Sequence, residues 1–214
     1  MSGRCVPCAA LVRALAKLAA EAMHVARLQA SDAGPYRKLM LQAYELAADA
    51  FTSTVAERAA EPDSFWVRRL ADPTGLSAAF GAFDGQKLVG TVALEFSAKP
   101  KTRHKASVIG MYVSPEARGS GAGRALLDAA LEHARQREGL LQLTLTVTEG
   151  NTPATRLYIS AGFQLFGREP MAVLTPAGYQ AKLHMWLALQ RDAPSRSSSG
   201  GGSAVQASGP DVPG

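Results

Sequence analysis

Apolar positions along this chain recur with two periods, and the period switches repeatedly between residues 24 and 189. Residues 24–30 alternate apolar and polar and predict a strand ending at Ser31-Asp32, a helix-start pair. Residues 35–51 carry Leu39, Tyr44, Leu46, Ala47 and Phe51 at mixed helical spacing and predict a helix. A second helix is expected over 63–72, ending before Pro73. Residues 77–97 read as a hairpin around Asp84-Gly85, and residues 106–113 as a third consecutive strand. A glycine-bearing loop follows, then a helix over 121–138 with Leu127, Ala130, Leu131 and Ala134 on its apolar side. Residues 140–148 alternate Leu, Val and Thr as a strand. Residues 151–162 predict a short helix: Asn151 can cap it, Pro153 is tolerated in its first turn and Gly162 ends it. Residues 163–170 and 178–189 supply the last two strands.

The order β-α-α-β-β-β-α-β-α-β-β contains no repeat. It predicts one mixed α/β (α+β) domain over residues 23–190, with about seven mostly antiparallel strands. Helix 121–138 crosses between the strands at 106–113 and 140–148, so those two should be parallel neighbours.

The ends lack this patterning. Residues 191–214 are dense in Ser, Gly and Pro and read as a disordered tail. Residues 1–22 fit an amphipathic helix with Leu11, Leu15, Leu18 and Ala22 on one side. They also fit a poor signal peptide, interrupted by Arg13 and Lys17, or a segment preceding a start at Met23. The reading taken is a dispensable extension. Hydrophobic residues make up 47% and charged ones 19%, a globular balance. No apolar run approaches the ~20 residues of a membrane span, and a cytoplasmic location is expected.

Of the net charge of +5, two units precede residue 23 and the tail is neutral. The remainder is too mild for a nucleic-acid surface, and the basic loop at 99–105 lacks interleaved aromatics. It suits a small anionic ligand. Cys5 and Cys8 lack the further ligands of a zinc site and the βαβ context of a redox pair, so no metal is expected.

The candidate chemistry begins at the glycine loop. A strand, a glycine loop and a helix start together form an anion site, because the first helical N–H groups are unpaired and the dipole favours negative charge. The alternative is a tight strand-to-helix connection. A P-loop requires Gly-Lys-Ser/Thr, but Gly123 is followed by Arg124 and Ala125. The dinucleotide fingerprint fails too, since glycines fall at 119, 121 and 123 after three antiparallel-looking strands.

The pattern that fits is R-x-x-G-x-G, at Arg118, Gly121 and Gly123. Residues 151–163 read N-x-x-A-x-x-L-Y-x-x-x-G-F. With both motifs in register and the element order above, the chain resembles the GNAT superfamily of N-acetyltransferases over about residues 23–190. The resemblance implies a seven-stranded sheet flanked by about four helices, with one parallel strand pair splayed at the site for acetyl-CoA, the cosubstrate. It implies direct acetyl transfer to a primary amine in a ternary complex; the alternative is a non-catalytic acyl-CoA-binding module.

Under that resemblance, backbone N–H groups of Gly119, Ser120, Gly121, Ala122, Gly123 and Arg124 face the pyrophosphate, with Arg118 or Arg124 adding charge. Gly110 marks a strand bulge. Backbone groups near Met111 and Val113 would then meet the pantetheine arm. Tyr158 is the expected general acid on the departing sulfur, and Asn151 would touch CoA or order a water. Glu95 and Glu149 are the leading candidates for the base; His104, His184 and a backbone carbonyl with water compete. The acceptor side would lie in residues 51–66 and 173–180. There Phe65, Trp66 and Tyr179 either line a pocket or fill the core, and Glu57 and Glu61 either attract an amine or are simply solvated. The acceptor itself, the acyl length and the oligomeric state, homodimer included, stay open.

Overall fold

The computed structural model describes residues 23–189. Within them one seven-stranded sheet runs in the order β1-β2-β3-β4-β5-β7-β6. The strands are β1 (His24–Arg27), β2 (Ser77–Asp84), β3 (Lys87–Phe96), β4 (Lys105–Val113), β5 (Gln142–Thr148), β6 (Gln164–Thr175) and β7 (Gly178–Ala188). Every neighbouring pair is antiparallel except β4 and β5. The parallel pair is joined by the helix that the sequence places between them, as expected. The calls on residues 1–22 and 191–214, with Cys5 and Cys8, lie outside the described residues.

Helices cover both faces. They are α1 (Ala33–Leu46), α2 (Val55–Ala59), α3 (Asp63–Leu70), α4 (Ala122–Gln136) and α5 (Thr152–Ser160). On one face α4 buries Ala122, Leu126, Leu127, Ala130, Leu131 and Ala134 against β2, β3 and β4, and α5 adds Tyr158. The stripe has the i, i+4 spacing of a helix face, and each fully buried leucine contributes ~1.5–3 kcal/mol. On the other face α1 and α3 bring Tyr36, Leu39, Met40, Trp66 and Leu70 onto Ala79, Leu88, Ala93 and Tyr112. Central strands β2 and β3 are therefore buried on both sides, which is why their residues read as nearly continuous apolar runs.

Several boundaries differ from the sequence reading. The first helix stops at Leu46, five residues early; Leu46 is 55% exposed, and a 3-10 turn follows over Ala48–Ala50. The chain turns there because Thr148 Oγ1 donates to the carbonyl of Asp49 at 2.6 Å, pulling this segment over the end of β5. Helix α2 was not anticipated, although its capping box is visible: Thr54 N donates to Glu57 Oε2 at 2.7 Å and Glu57 N to Thr54 Oγ1 at 3.2 Å. The hairpin turn centres on Gly85-Gln86, one residue later than expected, because Asp84 and Lys87 are already paired. Strand β6 runs on to Thr175 through two register irregularities, with Met171 at φ 53°.

Candidate active site

Strand β4 ends at Val113, and the next residue, Ser114, donates its N–H to the carbonyl of Val89 at 2.8 Å. A 3-10 turn over Pro115–Ala117 leads to the glycine loop. Gly121 caps α4 at φ 89°, a left-handed conformation that a side chain would strain. Ser120 donates to Ala117 O at 2.7 Å and accepts from Ala122 N at 3.3 Å. The N–H groups of residues 119–121, 123 and 124 have no hydrogen bond among the described residues, and the first regular helical bond is Ala125 N to Gly121 O. Unpaired donors thus gather at the positive end of a 15-residue helix, which is what a diphosphate requires.

The two arginines of the loop are already engaged. Arg118 Nε donates to Val113 O at 3.3 Å, tying the loop to β4, and Arg124 holds both oxygens of Asp128 at 2.9 Å. The anion cradle is therefore mainly backbone.

Strands β4 and β5 keep register only from Lys105–Ser107 against Gln142–Thr144, and then they part. Gly110 lies in the parting stretch at φ 60°. Against β3, Thr91 pairs with Tyr112 and Ala93 with Ile109, so Gly110 and Met111 together oppose Val92. This is the bulge expected at Gly110. A cavity of about 300 Å³ opens at the split. Tyr36, Met40 and Ala93 line it from the α1–α3 face, and Val108, Val147 and Tyr158 from the α4–α5 face. The cavity therefore passes through the sheet, so two reactants can meet from opposite faces.

Tyr158 reaches this cavity from α5 and is 5% exposed. Its ring packs edge-on to Phe163, and its hydroxyl makes no hydrogen bond among the described residues. Burial pushes its pKa up to about 12, so the hydroxyl is a proton donor at any physiological pH. Asn151 also lines the cavity and caps α5, accepting from Ala154 N at 3.3 Å.

Glu95 and Met111 line the cavity; Glu149, His104 and His184 do not. Glu149 accepts both guanidinium bonds of Arg168, at 2.7 and 2.6 Å, which hold its carboxyl below the usual range. His184 is paired with Glu169 at 2.8 Å.

The aromatic candidates for the acceptor side are mostly elsewhere. Trp66 is core at 2% exposure, and Tyr179 is 61% exposed near the β6–β7 turn. Phe65 packs beneath the guanidinium groups of Arg58 and Arg69, at 5.0 and 5.3 Å. Glu57 is spent in the α2 cap, and Glu61 lies 3.5 Å from Arg58. The lining residues outside the segments that the sequence reading assigned to the site include Tyr36, Met40, Tyr44, Arg69 and Lys182, whereas Phe51, Thr52, Ser53 and Arg58 fall within the 51–66 segment expected on the acceptor side. Lys182 alone carried a signal, as a cation within the apolar run of β7. It is 8% exposed, and burial lowers its pKa.

A family model described as the acetyltransferase (GNAT) family matches residues 40–163, spanning the glycine loop, the split strands and α5. The chain belongs to this family. It is 41% identical over 96 residues to the mycothiol acetyltransferase of Geodermatophilus obscurus, covering 43% of this chain and 29% of that one. It is 29% identical over 105 residues to the L-amino acid N-acetyltransferase AaaT of Escherichia coli, covering 49% of this chain and 64% of that one. The chain thus spans less than two thirds of the length of either relative. Among solved structures, yncA of Salmonella typhimurium, described as a putative acetyltransferase with its cofactor acetyl-CoA, superposes with a TM-score of 0.66 at 19% identity. That match covers 82% of this chain and 99% of that one, and it carries the fold. No helix among the described residues is long and apolar enough to cross a membrane.

Proposed function

We propose that this protein is an acetyl-CoA-dependent N-acetyltransferase that moves the acetyl group directly to a primary amine. The observation that carries the reading is the through-sheet cavity. It holds an unbonded tyrosine hydroxyl on the α4–α5 face and lies on the same split strand, β4, that leads into the backbone anion cradle. The free N–H groups of residues 119–121, 123 and 124 fit a pyrophosphate. The parted edge of β4 near Met111 offers unpaired backbone groups to an amide-bearing arm. Met111 serves in this way, whereas the carbonyl of Val113 is shared with Arg118.

In the transfer a C–N bond forms, the C–S bond breaks and the sulfur collects a proton. Tyr158 donates toward that sulfur. A phenol near 12 does not readily protonate a thiolate in water, where a thiol titrates at ~8.5. Inside the cavity the same loss of solvation raises the thiol as well, and a hydrogen bond to the developing charge lowers the barrier before the proton moves. Glu95 is the base, taking the ammonium proton directly or through a water, since it is the carboxylate that lines the cavity. Glu149 has no part in the chemistry, because Arg168 holds it as a poor base.

Residues 23–190 form the acetyltransferase unit, and the flanking segments are dispensable to it. Calorimetric titration with acetyl-CoA, followed by thiol release with primary amines, tests the reading. Binding and amine-dependent thiol release are expected. Binding without release from any amine would identify a non-catalytic acyl-CoA module, and absence of binding would overturn both.

A further inference from the structure

The charged groups of the cavity are unevenly matched. Arg58, Arg69 and Lys182 line it against a single carboxylate, Glu95. Arg69 is half-buried, and its side chain makes no hydrogen bond or ion pair among the described residues; its backbone carbonyl accepts from Ser77 Oγ at 3.0 Å. Arg58 is partly engaged: Nη2 donates to Ser53 Oγ at 2.8 Å and Nη1 lies 3.5 Å from Glu61 Oε1. Its Nε is buried without a partner. Both guanidinium groups lie against one ring, Phe65, at 5.0 and 5.3 Å. Two half-buried like charges sharing a ring repel each other; Glu61 offsets the charge on Arg58, whereas the fork of donors on Arg69 is left without an anion among the described residues. Such a pair is unfavourable alone and favourable once a carboxylate bridges it.

Glu95 is on the same side of the sheet. It follows Ala93 by two residues on β3, so it shares the α1–α3 face, and it lines the adjoining groove together with Arg69. A ligand here meets guanidinium groups at one point and a carboxylate nearby. A polyamine or another purely cationic amine would place its extra positive charges against Arg58, Arg69 and Lys182.

We infer that the acceptor is a small amine bearing a carboxylate close to its amino group, an amino-acid-like zwitterion. Its carboxylate is held by Arg69 with Arg58, and its ammonium is turned toward Glu95. The inference rests on the acetyltransferase reading and narrows its acceptor. Arg69 is a specificity residue on this account, and Phe65 packs against both guanidinium groups.

The test compares matched acceptors on the full chain. Thiol release from acetyl-CoA is measured with a panel of α-amino acids, with the α-carboxamides of the same amino acids, with spermidine and with a short peptide bearing a free N-terminus. Acids are expected to exceed their carboxamides in kcat/KM by about 10- to 100-fold, the range for one charge-assisted bidentate contact. In Arg69→Gln that ratio should fall towards one, chiefly through KM for the acids, and Arg69→Lys should keep part of it. Folding of each variant is read from its thermal stabilisation by acetyl-CoA, and if Arg69→Gln fails that check the lysine variant carries the comparison. Carboxamides, spermidine or the peptide reacting as well as the acids would overturn the inference, as would an unchanged ratio in a folded Arg69 variant. Acetyl-CoA binding with no turnover of any acid would overturn it too, leaving the donor site intact. Absence of acetyl-CoA binding would instead remove the reading beneath it.

Discussion

The two sides of the cavity are built by different means. On the α4–α5 side the anion cradle is a run of consecutive backbone N–H groups from residues 119–124, and Tyr158 stands within a short motif on α5. On the α1–α3 side the charged groups lining the cavity are side chains from separate elements: Arg58 on α2, Arg69 on α3, Glu95 on β3 and Lys182 on β7. Backbone donors become available only where a loop takes a specific conformation, so such a site needs glycines at set spacing and leaves a local signature. Side chains converging from positions 58 to 182 need only the fold to bring them together, and no local spacing announces them. The first side is fixed by its backbone conformation, whereas the second can change its lining by single substitutions.

The sharpest way to break this comparison is at Tyr158, where the two sides meet. Tyr158→Phe keeps the ring that packs on Phe163 and removes the proton donor. It should lower kcat ~10²–10⁴-fold, about 3–5 kcal/mol of barrier, with acetyl-CoA affinity nearly unchanged. Steady-state rates beside calorimetric titration check this; an unchanged kcat would remove the hydroxyl from the reaction.

The cradle is tested next. Acetyl-CoA at ~100 times its dissociation constant should stabilise the wild-type protein by about 2.7 kcal/mol, with little effect from ATP or NAD. Gly121→Glu should abolish that stabilisation, because it places bulk and negative charge on a left-handed cap beside the unpaired N–H groups. Thermal melts with and without acetyl-CoA give the answer, and a full shift in the variant would mean that the loop is not the anchor.

A change at the split should act on both sides. Gly110 holds φ at 60°, so Gly110→Val should cost ~1–3 kcal/mol of stability from backbone strain. It should also weaken acetyl-CoA binding and acceptor turnover together, since the bulge keeps β4 away from β5. Denaturant melts and titration measure the two effects; a loss confined to one side would show that the bulge does not set the gap.

The smallest effect is expected at Glu149, outside the cavity. Arg168 depresses its pKa, so the pair stabilises the fold above the carboxylate's unfolded value, and that contribution is lost as pH falls through the depressed folded value. Glu149→Gln should therefore soften the acid limb of the stability profile and leave kcat within a few-fold. Glu95→Gln should lower kcat. A reversed outcome at these two carboxylates would move the base across the sheet.

Much of the fold was legible in the chain. The stripe of Leu127, Ala130, Leu131 and Ala134, the three consecutive strands and the crossover by α4 follow from periodicity, because each buries its apolar face against the sheet. The bulge at Gly110 was legible because a glycine inside a strand pattern marks a place where the backbone leaves the regular ladder. The end of α1 was not. Leu46, Ala47 and Phe51 fit a continuing helix, and the break is imposed by the Asp49 carbonyl reaching Thr148 from 99 residues away in sequence. The roles of Trp66 and Tyr179 were undecided for the same reason, since an aromatic on a helix or strand looks alike whether it meets core, cavity or solvent. Which of the two carboxylates lines the cavity depends on partners in space: Arg168 sits across from Glu149, and Glu95 is left in the cavity. Sequence alone determined what depends on neighbours along the chain: periodic faces, caps, glycine angles and the backbone anion cradle. Tertiary structure alone decided what depends on neighbours in space, above all the arginines on Phe65 that line one cavity with Glu95, because long-range contacts are selected by the packing of the whole and leave no mark on local spacing.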